Sequence, residues 1–541
     1  MGAGASVQID ETTSNILKEE TMKPLDASDV ATPRGESAKA EVIRLRALIA
    51  ENAKKTEAPA AQQSKQPLIE IQGDTTKTCL ARVEEALKLI NAQGEINACA
   101  EILNDKAIQQ AKDADARIAN GEARRPLEGV PIIVKINIDI AGTLSTGSMP
   151  GFADWRPSTT APVVTKLLEA GAIVVAKTNM PEAAFGPFSF SPLHGLTLNP
   201  KNTKYTTTGS SSGTAAGIAA GMVQIGLGSD TGGSLRMPAE CCGIVGLCPS
   251  RGRYPRTGVV PCNSSHDTPG PMASSVANLA VMDAVIIGEA KPEEYKAMDL
   301  KGKCIGIDSS MYAAAVPGHK KAIDLAKKAF EELGATTKEV EFYKAVKGFK
   351  HEKAIDYRLS GLEDYIASHP DINRTADEVV EKSFWPQIKA FFHLLGPFGK
   401  YLDSNLIKKN DIPENEIEAA ETKFKAELKE YEGKHTKFLS DNGLDFVITP
   451  VIHGPPPKQH DVEEFKDFSK IASDFGIVLG PSSGIAALNE LSIPSLAMPT
   501  KALHEENIEG APLPAGILLW GKPFEDKNLI EAGMALEVAL S

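Results

Sequence analysis

Two segments rich in glycine and serine hold the densest chemistry of the chain: Thr208-Gly-Ser-Ser-Ser-Gly-Thr-Ala-Ala-Gly217 and Gly228-Ser-Asp-Thr-Gly-Gly-Ser234-Leu-Arg-Met-Pro238. Loops of this kind link domains, cradle phosphates or aim backbone N–H groups at an anion. The apolar context disfavours a linker. A phosphate loop would have a lysine after its glycines or a G-x-G-x-x-G run after a strand, whereas here three serines fill the loop and no lysine follows. Anion binding is left, with Thr231, Gly232, Gly233 and Ser234 offering successive N–H donors beside a hydroxyl. This is the pattern of an oxyanion hole adjoining a nucleophile, in which each aimed amide lowers the barrier by about 3 kcal/mol.

A hydroxyl nucleophile needs a base. His266, in Ser264-Ser-His-Asp-Thr-Pro269, is the histidine nearest in sequence, and no G-x-S-x-G elbow accompanies it. Lys135 competes for the role. It closes the apolar run Gly129-Val-Pro-Ile-Ile-Val-Lys135, where desolvation would lower its pKa and leave a neutral amine able to accept a proton. These residues alone leave both bases open.

The elements that must hold them follow from hydrophobic period. Gly129 to Lys135 and Ala172 to Lys177 read as buried strands, and Val163 to Ala170 between them reads as a helix. Such alternation predicts an α/β sheet covered by helices on both faces. Thr75 to Asn120 has a helical pattern, with Leu80, Val83, Leu87 and Ile90 on one face and Ala107, Ala111 and Ala114 on another. The uncharged stretch Tyr205 to Ser229 is too poor in apolar residues to span a membrane, because 14 of its 25 residues are Gly, Ser or Thr. It reads as loop plus buried helix. Strand-like runs return at Phe446 to Pro450 and Gly516 to Trp520, before a last helix from Glu525 to Leu540.

The main domain is expected over residues 75–541, behind an extension of residues 1–74 with a polar start, a helix at about 36–54 and a linker at about 55–66. Residues 310–440 read as a charged helical insertion. Its aromatics Phe384, Trp385, Phe391, Phe392 and Phe398 fit core or cap packing, or else a hydrophobic mouth or membrane-facing patch. In 541 residues the net charge of −13 disfavours nucleic acid as a partner. Seven cysteines without a CxxC pair argue against a disulfide framework or structural zinc, and for a reducing, cytoplasmic compartment. Met1-Gly2-Ala-Gly-Ala-Ser6 fits the pattern for N-myristoylation at Gly2. One acyl chain without a polybasic patch gives only weak, reversible peripheral membrane association.

Taken together, Gly129-Val-Pro-Ile-Ile-Val-Lys135-Ile-Asn-Ile-Asp139, Gly209-Ser-Ser-Ser-Gly-Thr-Ala-Ala216, Gly228-Ser-Asp-Thr-Gly-Gly-Ser234-Leu-Arg236, Cys242-Gly-Ile-Val-Gly-Leu247 and Asp267-Thr-Pro-Gly-Pro-Met-Ala273 resemble the amidase signature family. The similarity is dense from about 75 to 290 and resumes from about 440 to 537. The resemblance implies a large mixed β-sheet covered by helices, a Ser-cisSer-Lys triad and no metal or cofactor. Its motifs place the nucleophile at Ser234, the bridging cis serine at Ser210 and the base at Lys135. They assign the amides of Thr231, Gly232, Gly233 and Ser234 to the oxyanion hole. Ser211, Asp230 and Arg236 become supporting residues, and Phe185, Gly209 and Ser210 meet the substrate. This chain departs from the family at Ile136, where Asp is usual, and at Thr208 and Ser212, where Gly is usual.

The implied reaction is cleavage of a carboxamide to acid plus ammonia or amine through an acyl-enzyme on Ser234. Gly147-Ser-Met-Pro-Gly, Asp267-Thr-Pro-Gly-Pro-Met-Ala and Met282-Asp-Ala-Val285 are most similar to mandelamide and indoleacetamide hydrolases, which act on small aryl amides. A fatty acid amide hydrolase-like enzyme and a silent membrane-tethered scaffold are the alternatives. Met237, where glutamyl-tRNA amidotransferase subunits usually carry Gln, disfavours that branch. The expected partner is a small-molecule amide, with at most a second copy in a homodimer.

Overall fold

A computed structural model describes residues 77–288, 291–346, 355–356, 358–384, 407–408, 413–466 and 493–541. Gly2, the rest of the 1–74 extension, and Trp385, Phe391, Phe392 and Phe398 lie outside the described residues.

Eleven strands form one sheet. In chain order they are β1 (Cys99–Ile102), β2 (Pro131–Lys135), β3 (Ile173–Thr178), β4 (Ile225–Asp230), β5 (Val245–Cys248), β6 (Thr268–Ala273), β7 (Cys304–Asp308), β8 (Thr336–Val340), β9 (Phe446–Thr449), β10 (Ser495–His504) and β11 (Leu513–Trp520). They lie side by side as β1-β3-β2-β4-β6-β5-β10-β11-β9-β7-β8. The sheet is mixed. β2 runs parallel to both β3 and β4, and β9 runs parallel to β7, while β4 through β11 are joined by antiparallel pairs. The expected α/β architecture is therefore present.

Alternation along β2 sorts its side chains between two cores. Ile132 and Val134 join one buried cluster with Val163, Val164 and Leu167 of helix α1 (Pro162–Glu169). Ile133 joins the other, with Ala215 and Ala216 of helix α2 (Ser212–Ala219). Because side chains at i and i+2 share a face, Lys135 falls on the α2 side with Ile133. Helix α2 is buried from Ser212 to Ile218, so its small residues have no polar face to present. The uncharged 205–229 stretch is thus loop and buried helix as expected, and it also supplies β4.

Two expectations need amendment. The helical reading of 75–120 is interrupted by β1, whose four residues pair antiparallel with β3 on the sheet edge. Tertiary pairing there overrides a pattern that local period alone reads as helix. The 310–440 stretch contains helix α3 (Pro317–Glu332), and it also gives the sheet β8, parallel to β7. The alternation of β8 is weak because most of its side chains face outward.

Candidate active site

Lys135 is the last residue of β2, and Ser229-Asp230 ends the parallel neighbour β4. Carboxyl ends of adjacent parallel strands are where open α/β sheets present their crevices. Lys135 is fully buried. Its Nζ lies 2.8 Å from Ser210 Oγ, 2.9 Å from Ser229 Oγ and 3.3 Å from the Ser229 carbonyl. Burial pushes this amine down to about 7, against a smaller upward pull from Cys262, Asp230 and Asp267.

Ser210 sits at the mouth of α2, after a Gly209–Ser210 peptide that is cis. Gly209 is required there by close approach: a Cβ would stand 2.1 Å from the Phe188 carbonyl oxygen. Thr208 takes φ 56°, in the left-handed region, and its Oγ1 donates to the Thr207 carbonyl at 2.6 Å. Ser211 ties the two loops together. Its N–H donates to the Ser234 carbonyl at 3.1 Å, and its Oγ donates to the Ser229 carbonyl at 3.1 Å.

Ser234 follows Gly233, at φ 113°, and precedes helix α4 (Arg236–Cys242). Asp230 organises this turn. Its Oδ1 accepts from Gly233 N–H at 2.6 Å and Arg236 Nη2 at 3.0 Å, and its Oδ2 accepts from Leu235 N–H at 2.9 Å and Arg236 Nε at 3.1 Å. Burial alone would raise the Asp230 pKa, but the Arg236 guanidinium and the two amides hold it below the usual carboxylate range.

One of the four amides expected to serve as an oxyanion hole, Gly233 N–H, is engaged by the Asp230 carboxylate. The amides of Thr231, Gly232 and Ser234 form no hydrogen bond among the described residues and stay available, as does the Ser234 hydroxyl. Thr231 Oγ1 donates to Asp267 Oδ1 at 2.5 Å, and Asp267 in turn accepts from the amides of Cys262 and Asn263.

Three placements complete the picture. Phe185 is buried in an aromatic cluster with Phe188, Phe190, Phe152 and Phe465, and the Phe188 backbone abuts Gly209. Ile136 belongs to the same cluster, which explains an apolar residue after the lysine. His266 bonds the neighbouring Ser265 Oγ at 2.6 Å through Nδ1, while Lys135 occupies the position against Ser210.

Sequence reasoning missed Ser229 and Asn137. Ser229 Oγ accepts from Lys135 Nζ and, at 3.1 Å, from Asn137 Nδ2. The available signal was the parallel pairing of β2 with β4, which sets the two strand ends side by side. Lys177 is a second buried lysine pushed down to about 7 by burial. It donates to the Ile138 carbonyl and, at 3.3 Å, to Ser145 Oγ. A depressed pKa alone therefore does not mark the base.

A mixed α/β sheet whose central parallel strands end in a lysine–serine cluster beside a glycine-rich turn defines the class of this protein. The Amidase family model matches residues 76–530. A glutamyl-tRNA(Gln) amidotransferase subunit of Methanosarcina barkeri is 30% identical over 80% of this chain and 89% of its own length. The protein of the same name from Lachnospira eligens is 30% identical over 86% of this chain and 95% of its own. In fold, the chain is similar to native peptide amidase from Stenotrophomonas maltophilia. The TM-score is 0.70, with 23% identity over 88% of this chain and 97% of that one. The chain belongs to the Amidase family.

These relatives bear the name that Met237 had counted against, and they do not confirm the aryl-amide resemblance. Met237 is buried in α4 and packs within the second core. No helix among the described residues is long and apolar enough to cross a membrane, and all seven cysteines are free of disulfides.

Proposed function

We propose that this chain is a serine-type amide hydrolase with Ser234 as nucleophile, Ser210 as relay and Lys135 as base. The single observation that carries the reading is the buried Lys135 amine 2.8 Å from Ser210 Oγ, held near neutrality by desolvation. A neutral amine has two N–H groups and one lone pair. Ser229 offers two acceptors, its Oγ and its carbonyl, so the lone pair is left for the Ser210 hydroxyl proton.

Ser210 then takes the proton of Ser234 as Ser234 Oγ attacks the amide carbon, and the tetrahedral oxyanion meets the amides of Thr231, Gly232 and Ser234. Proton return through Ser210 to the nitrogen releases ammonia or amine and leaves the acyl-enzyme. Water, deprotonated by the same relay, attacks the ester and restores Ser234. The aromatic cluster around Phe185 supports a hydrophobic acyl group, aryl or long-chain.

The test is labelling by a serine-reactive fluorophosphonate followed by peptide mapping. A Ser234 adduct that is lost in Ser234→Ala supports the reading. Folded protein that never labels supports a silent scaffold. One second reading has its own support: similarity to amidotransferase subunits over nearly their full length favours release of ammonia to an acceptor in place of simple hydrolysis. Comparing hydrophobic carboxamides with glutamine as ammonia source separates the two.

A further inference from the structure

Away from the Lys135–Ser234 cluster, Glu240 of α4, His319 in the first turn of α3 and His504 at the end of β10 converge in the interior. Each offers one ligand atom, and these atoms all lie within 4.8 Å of one another. All three side chains are at least nine-tenths buried, with exposures of 2%, 0% and 4%. We propose that Glu240, His319 and His504 form a binding site for one divalent transition cation of the zinc class.

Three unpartnered atoms argue for it. Glu240 Oε1 accepts from the Gly516 amide at 3.0 Å and meets His319 Nε2 at 2.9 Å. Glu240 Oε2, His319 Nδ1 and His504 Nε2 have no hydrogen-bond partner among the described residues. An isolated buried polar atom costs about 1–3 kcal/mol. Three of them, on residues whose ligand atoms lie within 4.8 Å of one another, form a donor set suited to a cation.

Two imidazoles and a carboxylate are the ligands that zinc and its neighbours in the first transition row prefer, and three protein ligands leave a fourth position open. Ligands of a tetrahedral zinc stand about 3.4 Å apart, and the ligand atoms here lie within 4.8 Å of one another, so no pair has to close by more than about 1.4 Å. A cleft of about 460 Å³ reaches one member of the cluster: His504 lines it, with Gly318, His453 and Lys321 among others. A Cβ at Gly318 would stand 2.4 Å from His504 Nδ1, so glycine lets that ring lie against the helix.

The site would tie together the parts that frame Ser234. Helix α4 begins two residues after Ser234, and Glu240 already grips β11 through Gly516. A cation adds α3 and β10 to the same anchor, and a cation bound only by the folded state stabilises that state.

The experiment uses the full chain, stripped with a chelator and dialysed, then titrated with Zn²⁺ or Co²⁺ near neutral pH. Elemental analysis, the visible spectrum of the cobalt form and the thermal midpoint are the readouts. The expected result is one equivalent per chain, intense tetrahedral-type cobalt bands and a higher midpoint with metal. Glu240→Gln and His504→Asn should each weaken binding by at least about tenfold. His460→Asn, whose side chain contacts Glu464 and is not part of the cluster, should bind as the wild type does. Folded wild type that takes up no stoichiometric metal overturns the proposal and leaves only a hydrogen-bonded Glu240–His319 pair. So does uptake that is unchanged in His504→Asn. If Glu240→Gln does not fold, the wild-type cobalt spectrum and His504→Asn decide.

Discussion

Lys135 Nζ and Ser210 Oγ, 75 residues apart in the chain, meet at 2.8 Å in the interior. The contact is made because β2 lies parallel to β4, and the loop that opens α2 crosses the ends of both. A desolvated amine beside a hydroxyl is a base with its proton donor already in place, and the consequences can be measured.

Lys135 should govern the rate. With its folded pKa near 7, acylation is expected to rise with pH through about 7 and then level, since the neutral amine is the active form. Lys135→Ala should lose that inflection and about 10²–10⁴-fold in kcat/KM. A rate profile of Lys135→Ala that superimposes on the wild type would refute the base assignment.

The same group sets a pH dependence of stability. Its folded pKa of about 7 lies below the ordinary 10.5, so between these values the unfolded chain binds the extra proton. Stability therefore rises with pH across that window, and below it the full cost of burying the amine is borne. Lys177, also near 7, contributes a second proton to the slope. Lys135→Met should leave about half of it, measured as the denaturant midpoint at a series of pH values between about 7 and 9.

Asp230 holds the turn that presents Ser234, through Gly233, Leu235 and Arg236. Asp230→Asn removes the charge partner of a buried guanidinium and should cost about 3–5 kcal/mol of stability. Equilibrium unfolding checks this. Activity should fall even where the variant folds, because an amide side chain cannot accept at both oxygen positions.

Ser229 is a positioning residue for the amine. Ser229→Ala removes one of the two acceptors that orient the Lys135 N–H groups, and leaves Asn137 Nδ2 without its 3.1 Å partner. A drop in kcat of about tenfold with KM little changed is expected, on the scale of one buried hydrogen bond. A shift of the inflection near pH 7 would separate positioning from a general loss of structure.

Gly209→Ala should be far more damaging than its size suggests. The added Cβ would stand 2.1 Å from the Phe188 carbonyl oxygen, and backbone must move. Displacing Ser210 by about an ångström should cost on the order of 10²-fold in rate. Crystallography or fluorophosphonate labelling of the folded variant tests this against simple misfolding.

Much of the chemistry was written in local residues. The run Ile132-Ile-Val-Lys135 announces a buried strand ending in a lysine, and Thr231-Gly-Gly-Ser234 announces a glycine turn before a hydroxyl, because burial and glycine content are local properties. Residue chemistry alone left His266 and Lys135 both open, the family resemblance pointed to Lys135, and the contact of Lys135 with Ser210 depends on which strands lie side by side. Likewise, only the three-dimensional arrangement reveals that Gly233 N–H faces Asp230, that Ser229 orients the amine, and that Glu240, His319 and His504 converge. Composition and period fix which segments are strands or helices and which side chains prefer the interior. Which interior atoms become neighbours is decided by sheet order and close packing, and that is information held by pairs of segments, not by either one alone.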